Sequence, residues 1–225
     1  MTNIKICGIR KMSDAKIALQ EGAHFIGFVF VDNVTRKINE STAKQIIKEI
    51  KIAQKFDSPL KFVGLFANQQ INTINHIIKE CELDYVQLCG DESPSLWKSI
   101  DAQVIKQLRI PPTGKNNIDP EMIIRSAETI FSSGSTILID SEVKGKLGGT
   151  GIQPDWNLAS KISSEYPIIL AGGLTPKNIS DAILSVSPWG VDVSSGVESN
   201  NQKDPRKIVE FIQNSKKSKN LSRFL

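Results

Sequence analysis

The chain has 225 residues, 40% hydrophobic and 23% charged, with a net charge of +4. That length buries a sizeable core in one large domain or two small ones, and the mild positive excess, with no basic stripe interleaved with aromatics, argues against a nucleic-acid partner. No apolar run reaches the length of a membrane span and no leader pattern opens the chain, while three cysteines without metal-ligand spacing, Cys7, Cys81 and Cys89, fit a reducing compartment; the expected location is the cytoplasm.

In chain order the apolar pattern alternates between two periods. Residues 3–7 read as a strand and 13–20 as a helix, with Ser13 as its N-cap. The near-continuous apolar run 24–30 is a strand. Residues 41–56 are a helix with Ala43, Ile46, Ile47, Ile50 and Ala53 on one face. Strand 61–66 leads to helix 69–81, where Ile71, Ile74, Ile77 and Ile78 share a face. Strand 85–89 leads to a short helix at 94–100. Strand 104–108 leads through a loop at 112–117 to helix 120–131. Strand 136–140 leads through a Gly/Lys-rich loop at 142–150 to helix 155–163. Strand 167–171, helix 176–186, strand 190–194 and helix 204–213 complete the series. The tail from Ser215, with Lys216, Lys217, Lys219 and Arg223, is expected to fray.

Strands this uniformly apolar are buried on both faces, as in a parallel sheet. Eight strand–helix units without a linker predict an α/β fold, a single-domain (β/α)8 TIM barrel over 1–214 with a basic tail at 215–225. An open doubly wound sheet calls for G-x-G-x-x-G after its first strand. Cys7-Gly8-Ile9-Arg10 stands there instead.

Barrel active sites lie at the C-terminal ends of the strands. Among the residues that end the strands, which include Cys89 and Arg109, Cys7 and Asp140 stand out as titratable groups. Each also has an ordinary reading, Cys7 as a core cysteine and Asp140 as a turn cap. Lys5 shares a strand face with Cys7, and Asp192 shares one with Ser194 on the last strand, which borders the first on closure. A Lys5–Asp192 ion pair inside the barrel is therefore expected, with the ammonium lowering the Cys7 thiol pKa. Arg36, after the second strand, suits bidentate pairing with a carboxylate. Arg10 and Arg109 have weaker claims. Two glycine-rich elbows, 170–176 and 189–198, carry Gly172, Gly173, Ser194, Ser195 and Gly196. They read as a divided phosphate cradle or as plain strand-to-helix turns. The 142–150 loop reads as a lid over ligand or as surface chain. His24 opens its strand at the wrong end and His76 lies on a helix, so His-based triads and zinc sites are poorly supported and no metal is expected.

The matching segments, in order, are Lys5-Ile6-Cys7-Gly8, Phe62-Val63-Gly64-Leu65-Phe66, Val86-Gln87-Leu88, Gly148-Gly149-Thr150-Gly151 with Asp155-Trp156, Leu170-Ala171-Gly172-Gly173-Leu174 with Pro176 and Asn178, and Gly190 to Glu198. Together they resemble the phosphoribosylanthranilate isomerase family of tryptophan biosynthesis over nearly the whole chain. The resemblance implies a cofactor-free Amadori rearrangement of N-(5-phosphoribosyl)anthranilate to 1-(2-carboxyphenylamino)-1-deoxyribulose 5-phosphate. It implies Cys7 as general base and Asp140 as general acid. It places Arg36 on the anthranilate carboxylate, and Gly149, Gly172, Gly173, Ser195 and Gly196 around the substrate, the last four at its phosphate. The partner is then a phosphorylated small molecule, and the protein a monomer or homodimer. The chain departs from the family pattern at Arg10, where Thr is usual, at Cys89, where His is usual, and at Val34-Thr35 before Arg36, where Ser-Pro is usual. The alternatives are the histidine-pathway isomerase that performs the same rearrangement, which has Asp in place of Cys7, and a non-catalytic barrel that binds a phosphorylated ligand.

Overall fold

The computed structural model describes residues 2–53, 60–114, 119–141 and 151–221. Eight strands close into a barrel in sequence order: β1 (Asn3–Cys7), β2 (Phe25–Val29), β3 (Lys61–Phe66), β4 (Tyr85–Leu88), β5 (Gln103–Ile110), β6 (Thr136–Ser141), β7 (Ile168–Leu170) and β8 (Gly190–Val193). Every neighbouring pair is parallel, including the closing pair, where Lys5 stands opposite Asp192. Helices α1 (Met12–Gln20), α2 (Glu40–Ala53), α3 (Ile71–Cys81), α4 (Pro94–Trp97), α5 (Pro120–Ser132), α6 (Trp156–Ser163), α7 (Ile179–Val186) and α8 (Pro205–Leu221) alternate with them. None of the helices among the described residues is long and apolar enough to cross a membrane.

The period-two alternation of each strand divides the core into two shells. One set, including Ile4, Ile6, Ile26, Phe28, Phe62 and Ile139, packs against the apolar faces of the helices. The other, including Cys7, Phe25, Val63, Leu65, Ile105, Leu138 and Ile169, fills the barrel interior. This is why the strands read as continuous apolar runs: both faces are covered. The inward positions nearest the C-terminal rim turn polar, with Gln87, Gln107, Asp140 and Asp192.

Several boundaries differ from the sequence reading. Helix α1 begins at Met12, and its N-cap is Lys11 with no side-chain capping bond. Ser13 lies inside the first turn, where its hydroxyl donates to Asp14 at 3.3 Å. Helix α4 stops at Trp97, three residues before the predicted end, because the chain tightens into a turn with Ser99 N–H donating to Leu96 O. Helix α7 begins only at Ile179, after the Asn178 side chain accepts the Thr175 N–H. Helix α8 continues where fraying was expected. Ser215 and Ser218 are buried and donate back to Phe211 and Asn214 carbonyls, and Lys216 reaches the carbonyl of Glu21, the residue that caps the C-terminal end of the neighbouring α1.

One element is absent from the sequence reading. After β8 a single 3-10 turn (Ser195–Val197) leads into a hairpin of β9 (Glu198–Ser199) and β10 (Gln202–Lys203). Its two-residue turn, Asn200-Asn201, has φ of 52° and 58°. Asparagine tolerates this left-handed region, which such hairpin turns demand.

Candidate active site

A cleft opens at the C-terminal rim, walled by Cys7, Val29, Val31, Val34, Arg36, Leu65, Gln87, Cys89, Gln107, Asp140, Asp192 and Ser194. It joins the ends of strands far apart in sequence. A smaller hollow shares Asp140, Asp192 and Ser194 with it and continues along Gly172, Gly173, Leu174, Ser195 and Gly196. Cys7, Asp140 and Arg36 thus share one cleft, and the two elbows share the adjoining hollow. Gly149 and the 142–150 loop lie outside the described residues.

Lys5 is 1% exposed, and its Nζ reaches Asp192 Oδ1 at 3.0 Å and Gln87 Oε1 at 2.9 Å. The expected ion pair is therefore present. Burial, the largest single influence, lowers the ammonium pKa, but the charges and hydrogen bonds of Asp192 and Cys7 together outweigh it and the Lys5 pKa is raised. The expected depression of the Cys7 thiol is not found. Burial pushes the thiol up, and the opposing pull of Lys5 and Lys203 does not overcome it. Lys5 spends its charge on Asp192, whose own charge opposes thiolate formation.

Asp140 sits at the rim end of β6. Its Oδ2 accepts from Gln107 Nε2 at 3.0 Å and its Oδ1 from the Ser141 N–H at 2.7 Å. Burial drives its carboxyl up to about 6, with Asp192 adding to the rise and the Ser141 hydrogen bond opposing it. This carboxyl is poised between acid and carboxylate near neutral pH.

Arg36 does not stand alone. Its Nε and Nη2 bind Glu198 Oε1 and Oε2, both at 2.8 Å. Lys203 Nζ, 2.9 Å from Glu198 Oε1, also donates to the Ser194 carbonyl at 2.8 Å. Burial raises the Glu198 pKa, but Arg36 and Lys203 more than reverse this and hold it at about 2. Arg10 binds the Thr35 and Asn201 carbonyls, both at 2.8 Å. Arg109 donates to Asp91 Oδ1 at 3.5 Å and to the Cys89 carbonyl. Burial pushes the Cys89 thiol up to about 12, and the thiol accepts from Gln87 Nε2 at 3.4 Å. His24 lies at the other end of the barrel, its Nδ1 accepting the Ile4 N–H at 3.1 Å.

The elbows need their glycines for two reasons. Gly172 has φ of +84°, and a Cβ there would lie 2.9 Å from Asp140 Oδ1. Gly196 is confined by close approach, since a Cβ would lie 1.8 Å from the Leu174 carbonyl oxygen. The two elbows therefore touch. The Ser194 hydroxyl, at their junction with the cleft, is buried without a protein partner among the described residues.

Gln87, Gln107, Glu198 and Lys203 carry roles that the sequence reading did not assign. The two glutamines have a legible signal: each is polar at an inward position of an otherwise apolar strand. The hairpin has a weaker one in Asn200-Asn201.

A model of the "N-(5'phosphoribosyl)anthranilate (PRA) isomerase" family matches residues 4–214. The N-(5'-phosphoribosyl)anthranilate isomerase of Geotalea uraniireducens is 40% identical over 217 residues, spanning 96% of this chain and 99% of that protein. Among solved structures, monomers of the dimeric phosphoribosylanthranilate isomerase of Thermotoga maritima superpose with a TM-score of 0.78 at 31% identity, covering 96% of this chain and 100% of that one. A phosphoribosyl anthranilate isomerase in complex with reduced 1-(o-carboxyphenylamino)-1-deoxyribulose 5-phosphate matches with the same score, identity and coverage.

Proposed function

This chain belongs to the N-(5'-phosphoribosyl)anthranilate isomerase family, and from that premise we propose how its own residues divide the work. The protein catalyses the Amadori rearrangement of N-(5-phosphoribosyl)anthranilate to 1-(2-carboxyphenylamino)-1-deoxyribulose 5-phosphate, a step of tryptophan biosynthesis. The reaction is an internal oxidation and reduction. C2' gives up its proton and becomes a ketone, while C1' takes up a proton and becomes a methylene.

In the proposed sequence Asp140, protonated, gives its proton to the furanose ring oxygen. The C1'–oxygen bond breaks and the aniline nitrogen lone pair forms the Schiff base. Cys7, as thiolate, removes the C2' proton, and the electron pair moves to nitrogen to give an enolamine, which tautomerises to the ketone. The step needs one ionised group and one protonated group together. A carboxyl held near 6 by burial supplies the acid at neutral pH. A thiol pushed up by burial is a scarcer but stronger base once ionised.

Arg36 is assigned to the ring carboxylate through the guanidinium edge that Glu198 does not occupy. Gly172, Gly173, Ser195 and Gly196 are assigned to the phosphate. Gly149 is assigned to substrate by the family resemblance alone. The observation that supports this division is the meeting of Cys7, Asp140 and Arg36 on one cleft wall, contiguous with the glycine hollow. We place the protein in the cytoplasm as a monomer or homodimer, a compartment consistent with three free cysteines. The test is to mix the purified protein with freshly generated phosphoribosylanthranilate and follow the loss of anthranilate-type fluorescence. Enzyme-dependent decay is expected, and its absence overturns the reading.

A further inference from the structure

The β9–β10 hairpin has a use that neither the barrel nor the proton transfers explain. Glu198 and Lys203 project from it with side chains only 6% and 3% exposed. Two buried charges are costly unless each is well paired. Here Glu198 accepts three charge-assisted bonds, two from Arg36 and one from Lys203. Arg10 adds a second tie, joining the carbonyl before Arg36 to the hairpin turn through Thr35 and Asn201. Arg36 is therefore held at its backbone and at one edge of its guanidinium, with the side chain still on the cleft wall.

Charge decides what this arrangement is for. An Arg–Glu pair alone is neutral, and an anionic ligand gains little by approaching it. Two cations sharing one carboxylate leave a single net positive charge beside the cleft. That charge matches a single carboxylate on the ligand.

We propose that Glu198 and Lys203 are positioning residues for the substrate's ring carboxylate. Glu198 fixes Arg36 by its Nε/Nη2 edge so that Nη1 serves the ligand. Lys203 offsets the Glu198 charge so that the cleft stays attractive to an anion. This rests on the assignment of Arg36 to the carboxylate.

The test compares two ligands: reduced 1-(o-carboxyphenylamino)-1-deoxyribulose 5-phosphate and its anilino counterpart without the ring carboxylate. Their Kd ratio measures carboxylate recognition and cancels general loosening of the phosphate end. Glu198→Gln and Lys203→Met are each expected to lower the ratio by about tenfold, the scale of one lost charge-assisted hydrogen bond. In turnover they raise KM by a similar factor and leave kcat within about twofold of wild type, as loss of uniform binding does. Arg36→Met is the reference and should abolish the discrimination. If Arg36→Met leaves the ratio intact, the assignment of Arg36 fails and takes this inference with it. If Arg36→Met abolishes it while both hairpin variants keep the wild-type ratio, the hairpin inference alone is overturned. A ratio that rises in Glu198→Gln also overturns it, because Glu198 would then compete with the substrate for Arg36.

Discussion

Asp140 and Cys7 are displaced in the same direction by the same cause, burial, and this shapes the pH dependence. In the proposed mechanism the active form pairs a protonated Asp140 with an ionised Cys7. Below about pH 6 Asp140 keeps its proton and every rise in pH yields more thiolate, so kcat/KM climbs. Between there and the raised thiol value, the gain in thiolate and the loss of acid offset each other, and the profile is flat. Above it, kcat/KM falls. A kcat/KM profile checks this, and an acid limb near the ordinary Asp value of about 4 contradicts it. The same burial makes Asp140 a liability for folding. Its folded pKa of about 6 exceeds the unfolded value, so the ionised group binds its proton more weakly after unfolding, and stability is lost as pH rises through that window. Asp140→Asn should stabilise the fold by on the order of 1–2 kcal/mol above pH ~6, and by nothing near pH ~3.5. Denaturant unfolding at the two pH values reads this out.

At the scale of elements, the elbows after β7 and β8 act as one unit because Gly196 lies against the Leu174 carbonyl. Gly196→Ala must push the elbows apart. It should raise KM at least tenfold and lower stability by about 1–3 kcal/mol. Wild-type KM and unfolding midpoint in that variant would show that the elbows are independent. These elbows were legible in the sequence because glycine clusters after apolar runs have a conformational meaning. Cys7 and Asp140 were legible as titratable residues at strand ends. The hairpin was not, because two-residue strands leave no periodicity to read. The partners of Arg36 were not, because Glu198 lies 162 positions away in sequence and only barrel closure brings them together. The direction of the Cys7 shift was not legible for a related reason: sequence places Lys5 beside the thiol but does not weigh the burial around it.

Across the whole molecule, β1 meeting β8 both closes the barrel and assembles the site. The Lys5–Asp192 pair sits on that seam, and its position followed from strand parity alone. Lys5→Met leaves Asp192 buried without its cation and should cost about 3–5 kcal/mol in urea unfolding. The double variant Lys5→Met/Asp192→Leu should recover part of that loss, and a neutral single variant would contradict the seam's role. Closure also brings Cys7 of the first strand into the cleft that Asp140 of the sixth lines. The direct test is turnover of phosphoribosylanthranilate by wild type, Cys7→Ser and Asp140→Asn side by side. Rapid conversion by wild type is expected, with a drop of about 10²–10⁴-fold in kcat for each variant and folded protein in both. Near-wild-type turnover by either variant would contradict it.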